Sequence, residues 1–246
     1  MSRFADLKSF LIVLGGAYAA TMVAFPFRRA LGAFLFIGRI FTVFIKTEQF
    51  LEVYHTVLKL AEKRVNNELI TDEEVQAIEH EKLRQWVQDF IAVDLVSEDM
   101  VHEIIRSEIE MYNYRSFHEI DVLEFLGGAA PAFGLLGTVI GLIIMLGKSA
   151  GDITGAMSGM SVALTATLYG ALLSQLLFLP SASKRYQIKE NNVLLLEMIR
   201  EGVSYLKSRE LPEVISQDLI IYLPAKIREK VMEEKMAAIK SGNLGL

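Results

Sequence analysis

The sequence predicts an all-α integral membrane protein with three transmembrane helices. Two uncharged stretches, 125–147 and 153–183, are each long enough to cross the roughly 30 Å hydrocarbon layer as a helix. Lys148 and Asp152 are the only charged residues between them, which indicates a hairpin with a tight turn. A third uncharged stretch, 9–27, is just long enough to span.

Composition supports this segregation of apolar and charged sequence. The 246 residues are 52% hydrophobic and yet 22% charged, and the charge is concentrated in 46–124 and 184–241. There is no cysteine, so disulfides, thiol catalysis and cysteine metal sites are excluded. The predicted segments are 1–27 (first transmembrane helix), 28–46 (interfacial amphipathic helix), 47–124 (cytoplasmic helical domain), 125–147 and 153–183 (transmembrane helices), and 184–246 (cytoplasmic C-terminal helices).

The first span has two interpretations. Ala17-Tyr18-Ala19 imitates a signal-peptide cleavage site, but apolar residues continue beyond it, which favours a membrane helix. Arg28 and Arg29 follow this span and Lys184 follows the last one, so the positive-inside rule places the N-terminus outside and the C-terminus inside.

Residues 31–45 are apolar but interrupted by Arg39, which shares a helix face with Arg28 and Lys46. We expect an interfacial helix whose basic edge meets lipid phosphates. The alternative is a membrane-buried continuation of the first span.

The charged segments read as helices. Residues 48–69 have a helical apolar period, and Thr71 with Glu74 predicts a capping box at the start of a helix that runs to about Val93. Ser97 is expected to cap a helix that leads into the membrane, and 184–207 to extend the last span.

There is no phosphate loop, nucleophile elbow or basic aromatic patch, so we expect neither an enzyme nor a nucleic-acid partner. A metal site is not expected among the scattered histidines His55, His80, His102 and His118.

Small residues form stripes along the hairpin, and close helix packing in lipid favours such stripes. They are Gly134, Gly137 and Gly141 in the first helix, and Gly155, Gly159, Ala163, Thr167 and Ala171, every fourth residue, in the second.

The threonines Thr138, Thr165 and Thr167 lie at membrane depth. Their hydroxyls are candidates for an ion pathway, or they bond to carbonyls of their own helix. No ionisable residue lies within the core of any span, so an ion-conducting assembly would need a partner's acid. Pro131 and Pro180 are either hinges or plain helix boundaries.

The hairpin motifs APAFGLLGTVIGLIIML (130–146) and GMSVALTATLYGALLSQLLFLPSASK (159–184) resemble the third and fourth spans of the MotA/PomA family of flagellar stator subunits, within the MotA/TolQ/ExbB superfamily. Residues 11–26 are similar to that family's second span, 83–109 to its loop and 194–223 to its tail. The family's first span has no counterpart in this sequence. Three spans are also the topology of the TolQ/ExbB branch.

The resemblance implies a homo-oligomeric ring in the bacterial inner membrane, around a MotB-type partner whose single span carries an essential aspartate. It implies ion-driven torque applied to the rotor protein FliG, in flagellar rotation and chemotaxis. Thr138 and Thr167 match the family's pore-facing threonines, and Pro131 and Pro180 its functional prolines. Lys63 or Arg64, and Glu73 or Glu74 beside Asp72, match the positions that contact the rotor.

Ala166 and Gly128 stand where sodium-driven members tend to have a threonine and an acid, so we expect protons rather than Na⁺ as the translocated ion, and no cofactor. Two alternatives remain: a TolQ/ExbB-like energiser of an envelope process, and a non-conducting membrane scaffold.

Overall fold

The computed structural model describes residues 6–39, 47–92, 96–148 and 152–240, and within these ranges all regular structure is helical. The α-helices are α1 Leu7–Ala24, α2 Phe27–Arg39, α3 Glu48–Val65, α4 Asp72–Gln76, α5 Glu81–Val87, α6 Glu98–Leu146, α7 Ile153–Leu172, α8 Leu179–Ser208, α9 Pro212–Leu219 and α10 Ala225–Lys240. The described ranges also contain two π-helical segments, Gln88–Ala92 and Leu173–Phe178, and a 3₁₀ turn, Ile220–Tyr222.

The chain divides into two compact units. The first, which we call the membrane unit, comprises Met1–Phe44 and Tyr114–Lys189. The second, the charged unit, comprises Ile45–Asn113 and Glu190–Leu246. Three helical stretches of the described residues are long and apolar enough to cross a bilayer: Leu7–Ala24, Glu98–Leu146 and Ile153–Ser208. The predicted fold class, an all-α membrane-embedded protein, is therefore confirmed.

In the membrane unit, α1 packs against α7, and α7 packs against the apolar half of α6. Small and medium side chains fill the contacts, among them Val13, Ala17, Ala130 and Ala166, all fully buried. Large aliphatic side chains on the other faces are exposed: Leu135, Val139, Ile143, Met157 and Leu164. Apolar side chains outside and small ones between helices are what a hydrocarbon solvent requires, because lipid supplies no hydrophobic force between helices.

The charged unit has a conventional water-excluding core. The apolar face of α3, with Phe50, Tyr54 and Val57, packs with residues of α5, α6, α8 and α9. Trp86 is almost fully buried, and its indole Nε1 donates to the Glu108 carboxylate over 2.9 Å. Lys82 forms an ion pair with the same carboxylate.

Two local expectations for this unit had different outcomes. The capping box of Thr71 and Glu74 is confirmed, since each side chain accepts from the other residue's backbone N–H. The single helix predicted from Thr71 to Val93 is wrong: α4 ends at Gln76, and α5 begins at Glu81. The reason is His80, whose Nδ1 accepts from the Leu83 N–H and so caps a new helix. Val93 itself lies outside the described residues.

The segment predicted to lie in the interface forms α2 over its described part. Phe27, Leu31 and Leu35 recur at helical spacing and are exposed, as are Arg28 and Arg29. The side chain of Arg39, and Lys46, lie outside the described residues, so the predicted three-residue basic face stays a prediction.

Candidate functional site

The hydroxyls of Thr138 on α6 and Thr167 on α7 form a hydrogen bond with each other. Both also reach carbonyls: Thr138 Oγ1 lies 3.1 Å from the Gly134 oxygen, and Thr167 Oγ1 lies 3.3 Å from the Ala163 oxygen. Each of the two hydroxyls is therefore within hydrogen-bonding distance of both the other threonine and a carbonyl oxygen of its own helix. Thr167 is exposed on the surface of the chain, so the pair is open to a partner.

Glycines bring the two threonines into contact. A Cβ on Gly141 would lie 2.5 Å from the Ala163 nitrogen, and one on Gly159 would lie 2.6 Å from the Met145 nitrogen. At the next contact, a Cβ on Gly170 would lie 2.8 Å from the Ala130 oxygen. Only the absence of side chains allows α6 and α7 to approach this closely.

The contact face of α7 departs from the predicted stripe in its later turns. A Cβ on Gly137 would lie 2.5 Å from the Ala166 Cβ, and Gly134 faces Gly170. The predicted stripe has Thr167 and Ala171 at these two positions of the contact. With 3.6 residues per turn, a spacing of four drifts about 40° at each step, so the contact moves to positions 166 and 170. Thr167 is therefore left at the edge of the contact.

Gly155 has a different neighbour from the other stripe residues. The space beside its Cα is occupied by the Asp152 carboxylate, which caps α7 by accepting from the Gly155 N–H over 2.8 Å. The lack of a side chain at Gly155 therefore leaves room for the carboxylate that caps α7.

Thr165 lies apart from the other two threonines and faces α1. Its Oγ1 is 2.8 Å from Ser9 Oγ and 3.5 Å from Asp6 Oδ2, and Ser9 Oγ donates to Asp6 Oδ2 over 2.5 Å. Sequence analysis missed Asp6, because counting the uncharged stretch from Ser9 left it outside the span. Asp6 is the N-cap residue just before α1, and its side chain is half-buried. The D-x-x-S pattern at 6–9 is the signal that could have revealed this contact. The expectation that no ionisable residue lies within the core of any span stays a prediction, because Asp6 precedes α1.

Pro131 lies inside α6 rather than at a helix boundary. A proline has no N–H, so the carbonyl four residues earlier, that of Gly127, loses its helical donor. The buried Ser174 hydroxyl, on the π-helical segment after α7, donates to that oxygen over 2.7 Å. The neighbouring chain thus replaces the bond that the proline removes.

Pro180 is the second residue of α8 and lies two residues after the end of the π-helical segment Leu173–Phe178. Prolines and π-bulges are the usual causes of helix kinks, and here they occur together. The structure therefore concentrates two departures from regular helix at the end of the last span.

The candidate rotor-contact residues fall into two groups. Lys63 and Glu74 are ion-paired with each other, and Arg64 Nε donates to the Leu206 oxygen over 3.1 Å. The hydrogen bond from Lys63, with that from the Thr71 N–H, holds the pKa of the Glu74 carboxyl below its ordinary value. Asp72 and Glu73, in the first turn of α4, are exposed.

Comparison with known proteins extends over nearly the whole chain. A family model described as the MotA/TolQ/ExbB proton channel family matches residues 70–198. Motility protein A of Treponema phagedenis is 32% identical, over 95% of this chain and 88% of that protein.

Two solved structures share the fold. The flagellar MotAB stator complex of Bacillus subtilis aligns with a TM-score of 0.82 at 28% identity, covering 94% of this chain and 89% of its counterpart. MotAB of C. jejuni aligns with a TM-score of 0.79 at 23% identity, covering 90% of this chain and 86% of the other, and supports the fold alone. The chain belongs to the MotA/TolQ/ExbB proton channel family.

Proposed function

We propose that this protein is a flagellar stator subunit that converts an ion-motive force into torque. The observation that carries the proposal is the hydroxyl pair of the half-buried Thr138 and the exposed Thr167, on two helices long and apolar enough to span a bilayer, in a chain with the stator fold. One charge crossing 100 mV releases about 2.3 kcal/mol, enough to bias a small rearrangement between helices.

The proposed assembly is a homo-oligomeric ring around a MotB-type subunit. Support comes from the Bacillus subtilis structure, which is a MotAB complex, and from the open side of the threonine pair, where a partner helix could present its acid. Protons are the proposed ion, on the strength of Ala166 and Gly128. The chain would act as a channel component, without enzymatic activity or a cofactor.

The proposed location is the bacterial inner membrane, with three described spans and the charged unit in the cytoplasm. Arg28, Arg29 and Lys184 support that orientation through the positive-inside rule. α2, with its exposed Phe27 and Leu31, would lie along lipid headgroups. The charged unit would then contact the rotor protein FliG, with the exposed Asp72 and Glu73 as the available acidic side chains.

Reconstitution in liposomes tests the proposal. The full chain and a MotB-type partner are incorporated together and separately, and proton and sodium uptake are followed under an imposed potential. We expect proton uptake only when both are present, and loss of uptake when the partner's membrane aspartate is replaced by asparagine. Equal uptake by the chain alone, or none with the partner, would refute the proposal.

A further inference from the structure

We infer that Leu69 and Leu211, on two loops of the charged unit that are bonded to each other, form an apolar contact that fills a recess on the rotor protein. The first loop, 66–71, joins α3 to α4, and the second, 209–211, joins α8 to α9. The inference deepens the proposed function and rests on it, because it takes the rotor protein as the partner.

Two side-chain hydrogen bonds hold these loops beside each other. Arg209 Nη1, in the second loop, donates to Asn67 Oδ1, in the first, over 2.8 Å. Arg64 Nε, in the last turn of α3, donates over 3.1 Å to the oxygen of Leu206, in the last turn of α8. Each bond joins residues 142 positions apart, so the two loops meet only in the folded chain.

The backbone turns in the same way in both loops. Asn67 has a φ of 56° and Arg209 a φ of 57°, in the left-handed region that residues other than glycine rarely adopt. After Asn67, the Glu68 N–H returns to the Lys63 oxygen over 2.9 Å, which closes the end of α3. A left-handed arginine costs free energy, and its bond to Asn67 helps to offset that cost.

Glutamate and then leucine follow the left-handed residue in both loops. Leu69 is 86% exposed and Leu211 is 54% exposed. The next residue of each loop does belong to the core, because Ile70 packs against it and Pro212 is buried. One exposed leucine is ordinary on a protein surface, but two on loops that are bonded together provide a shared apolar patch.

The charges beside the first loop indicate which partner fits. Leu69 lies between the basic candidates at the end of α3 and the acidic candidates Asp72 and Glu73, which are exposed. Lys63 and Arg64 form bonds within the charged unit. The side chains offered beside the leucine are therefore acidic. They suit an apolar recess with a basic rim, and they are repelled by anionic lipid headgroups.

The leucines supply what exposed charges lack in a contact. Exposed ion pairs are individually weak and are screened by salt, so they steer a partner more than they hold it. Stable interfaces combine a polar rim with an apolar centre that excludes water. Asp72 and Glu73 provide the rim, and Leu69 and Leu211 provide the centre. The loop after α8 thereby joins the rotor contact that the sequence motifs assigned to the end of α3 and the start of α4.

The affinity for the rotor protein FliG tests the inference. The full chain with its MotB-type partner is placed in lipid nanodiscs, and FliG binding is measured for Leu69→Ser, Leu211→Ser and the double variant. Each single replacement should weaken binding by about tenfold, because it removes one leucine from the buried contact. Melting temperatures should stay near wild type, since both side chains are exposed.

Two control variants accompany this measurement. Ile221→Ser replaces a 67% exposed apolar residue beyond α9 and should bind FliG like the wild type. Glu213→Lys should also bind normally, because the second loop contributes an apolar group and not a charge. Unchanged affinity of the double variant would overturn the inference.

Cross-linking in swimming cells identifies what covers the leucines. The chain has no cysteine, so Leu69→Cys, Leu211→Cys and the control Ile221→Cys each introduce a single thiol. A photoreactive group on that thiol should capture FliG from positions 69 and 211 and not from 221. Capture of a second copy of the chain, or of lipid alone, would overturn the inference. So would an assembly that conducts protons but does not bind FliG, whereas an assembly that never conducts would sink the proposed function.

Discussion

The Ser174 hydroxyl donates a 2.7 Å hydrogen bond to the carbonyl oxygen of Gly127, the residue four positions before Pro131. Pro131 cannot donate to that oxygen, so a side chain from the last span takes over the missing N–H. Both groups are buried in the membrane unit, where water cannot compensate. The pairing explains how a proline is accommodated within α6.

Replacement of Ser174 by alanine should destabilise the hairpin by about 1–3 kcal/mol, because a buried carbonyl is left without a donor. Pro131→Ala restores the backbone N–H, so the same serine replacement should cost little in that background. Denaturant unfolding of the four variants in detergent gives the coupling energy. A cost for Ser174→Ala that is equal in both backgrounds would show that the serine serves packing alone.

Loss of the Thr167 hydroxyl should slow ion uptake in the assembled stator. One hydrogen bond of about 1.4 kcal/mol in the rate-limiting step corresponds to about a tenfold change. Thr167→Ala should show that loss, and Thr167→Ser, which keeps the hydroxyl, should not. Ser158→Ala, at another exposed hydroxyl of α7, is the matched control. Normal uptake by Thr167→Ala would reduce this residue to a packing role.

Charge reversal should distinguish the two groups of candidate rotor-contact residues. Lys63→Glu should disturb the charged unit itself, because it breaks the ion pair with Glu74 and puts two acids together. Glu73→Lys should impair swimming while leaving the melting temperature near wild type, since Glu73 is exposed.

Swimming assays and thermal melts of the same variants provide the comparison. A Glu73→Lys variant that swims normally would remove that residue from the rotor contact. Glu213→Lys, in the first turn of α9, is a control for adding positive charge at another exposed acidic position in the charged unit.

His80 should make the charged unit less stable in mild acid. Burial lowers the pKa of its imidazole below the ordinary 6.5, although the neighbouring Glu81 partly opposes this. The folded state therefore binds fewer protons than the unfolded chain. Stability is complete above pH 6.5 and falls as the pH drops through the lower folded pKa, because protonated Nδ1 cannot accept from the Leu83 N–H.

The pH dependence of thermal unfolding tests this prediction. Asparagine at position 80 retains a capping oxygen and does not titrate, so His80→Asn should have a flatter profile between neutral and mildly acidic pH. An unchanged slope in that variant would assign the pH dependence to other groups.

Sequence patterns alone are enough to assign the class of protein and the order of its helices. Uncharged stretches of sufficient length can only be helices in a bilayer, because every backbone group must find its partner within the same segment. The capping box at Thr71 and Glu74 was equally readable, since its partners are three residues apart. The family, too, followed from motifs in the hairpin.

Which side chains meet across helices depends on the packing of the helices in three dimensions. Every fourth residue of α7 lies progressively further around the helix, so its contact with α6 falls on Ala166 and Gly170 and leaves Thr167 at the edge. The hydrogen bonds between Ser174 and Gly127, and between Thr165 and Asp6, depend on how the membrane helices pack against one another. Local periodicity fixes the faces of one helix, whereas side-chain pairs from distant positions depend on register and tilt between helices, which no single segment encodes.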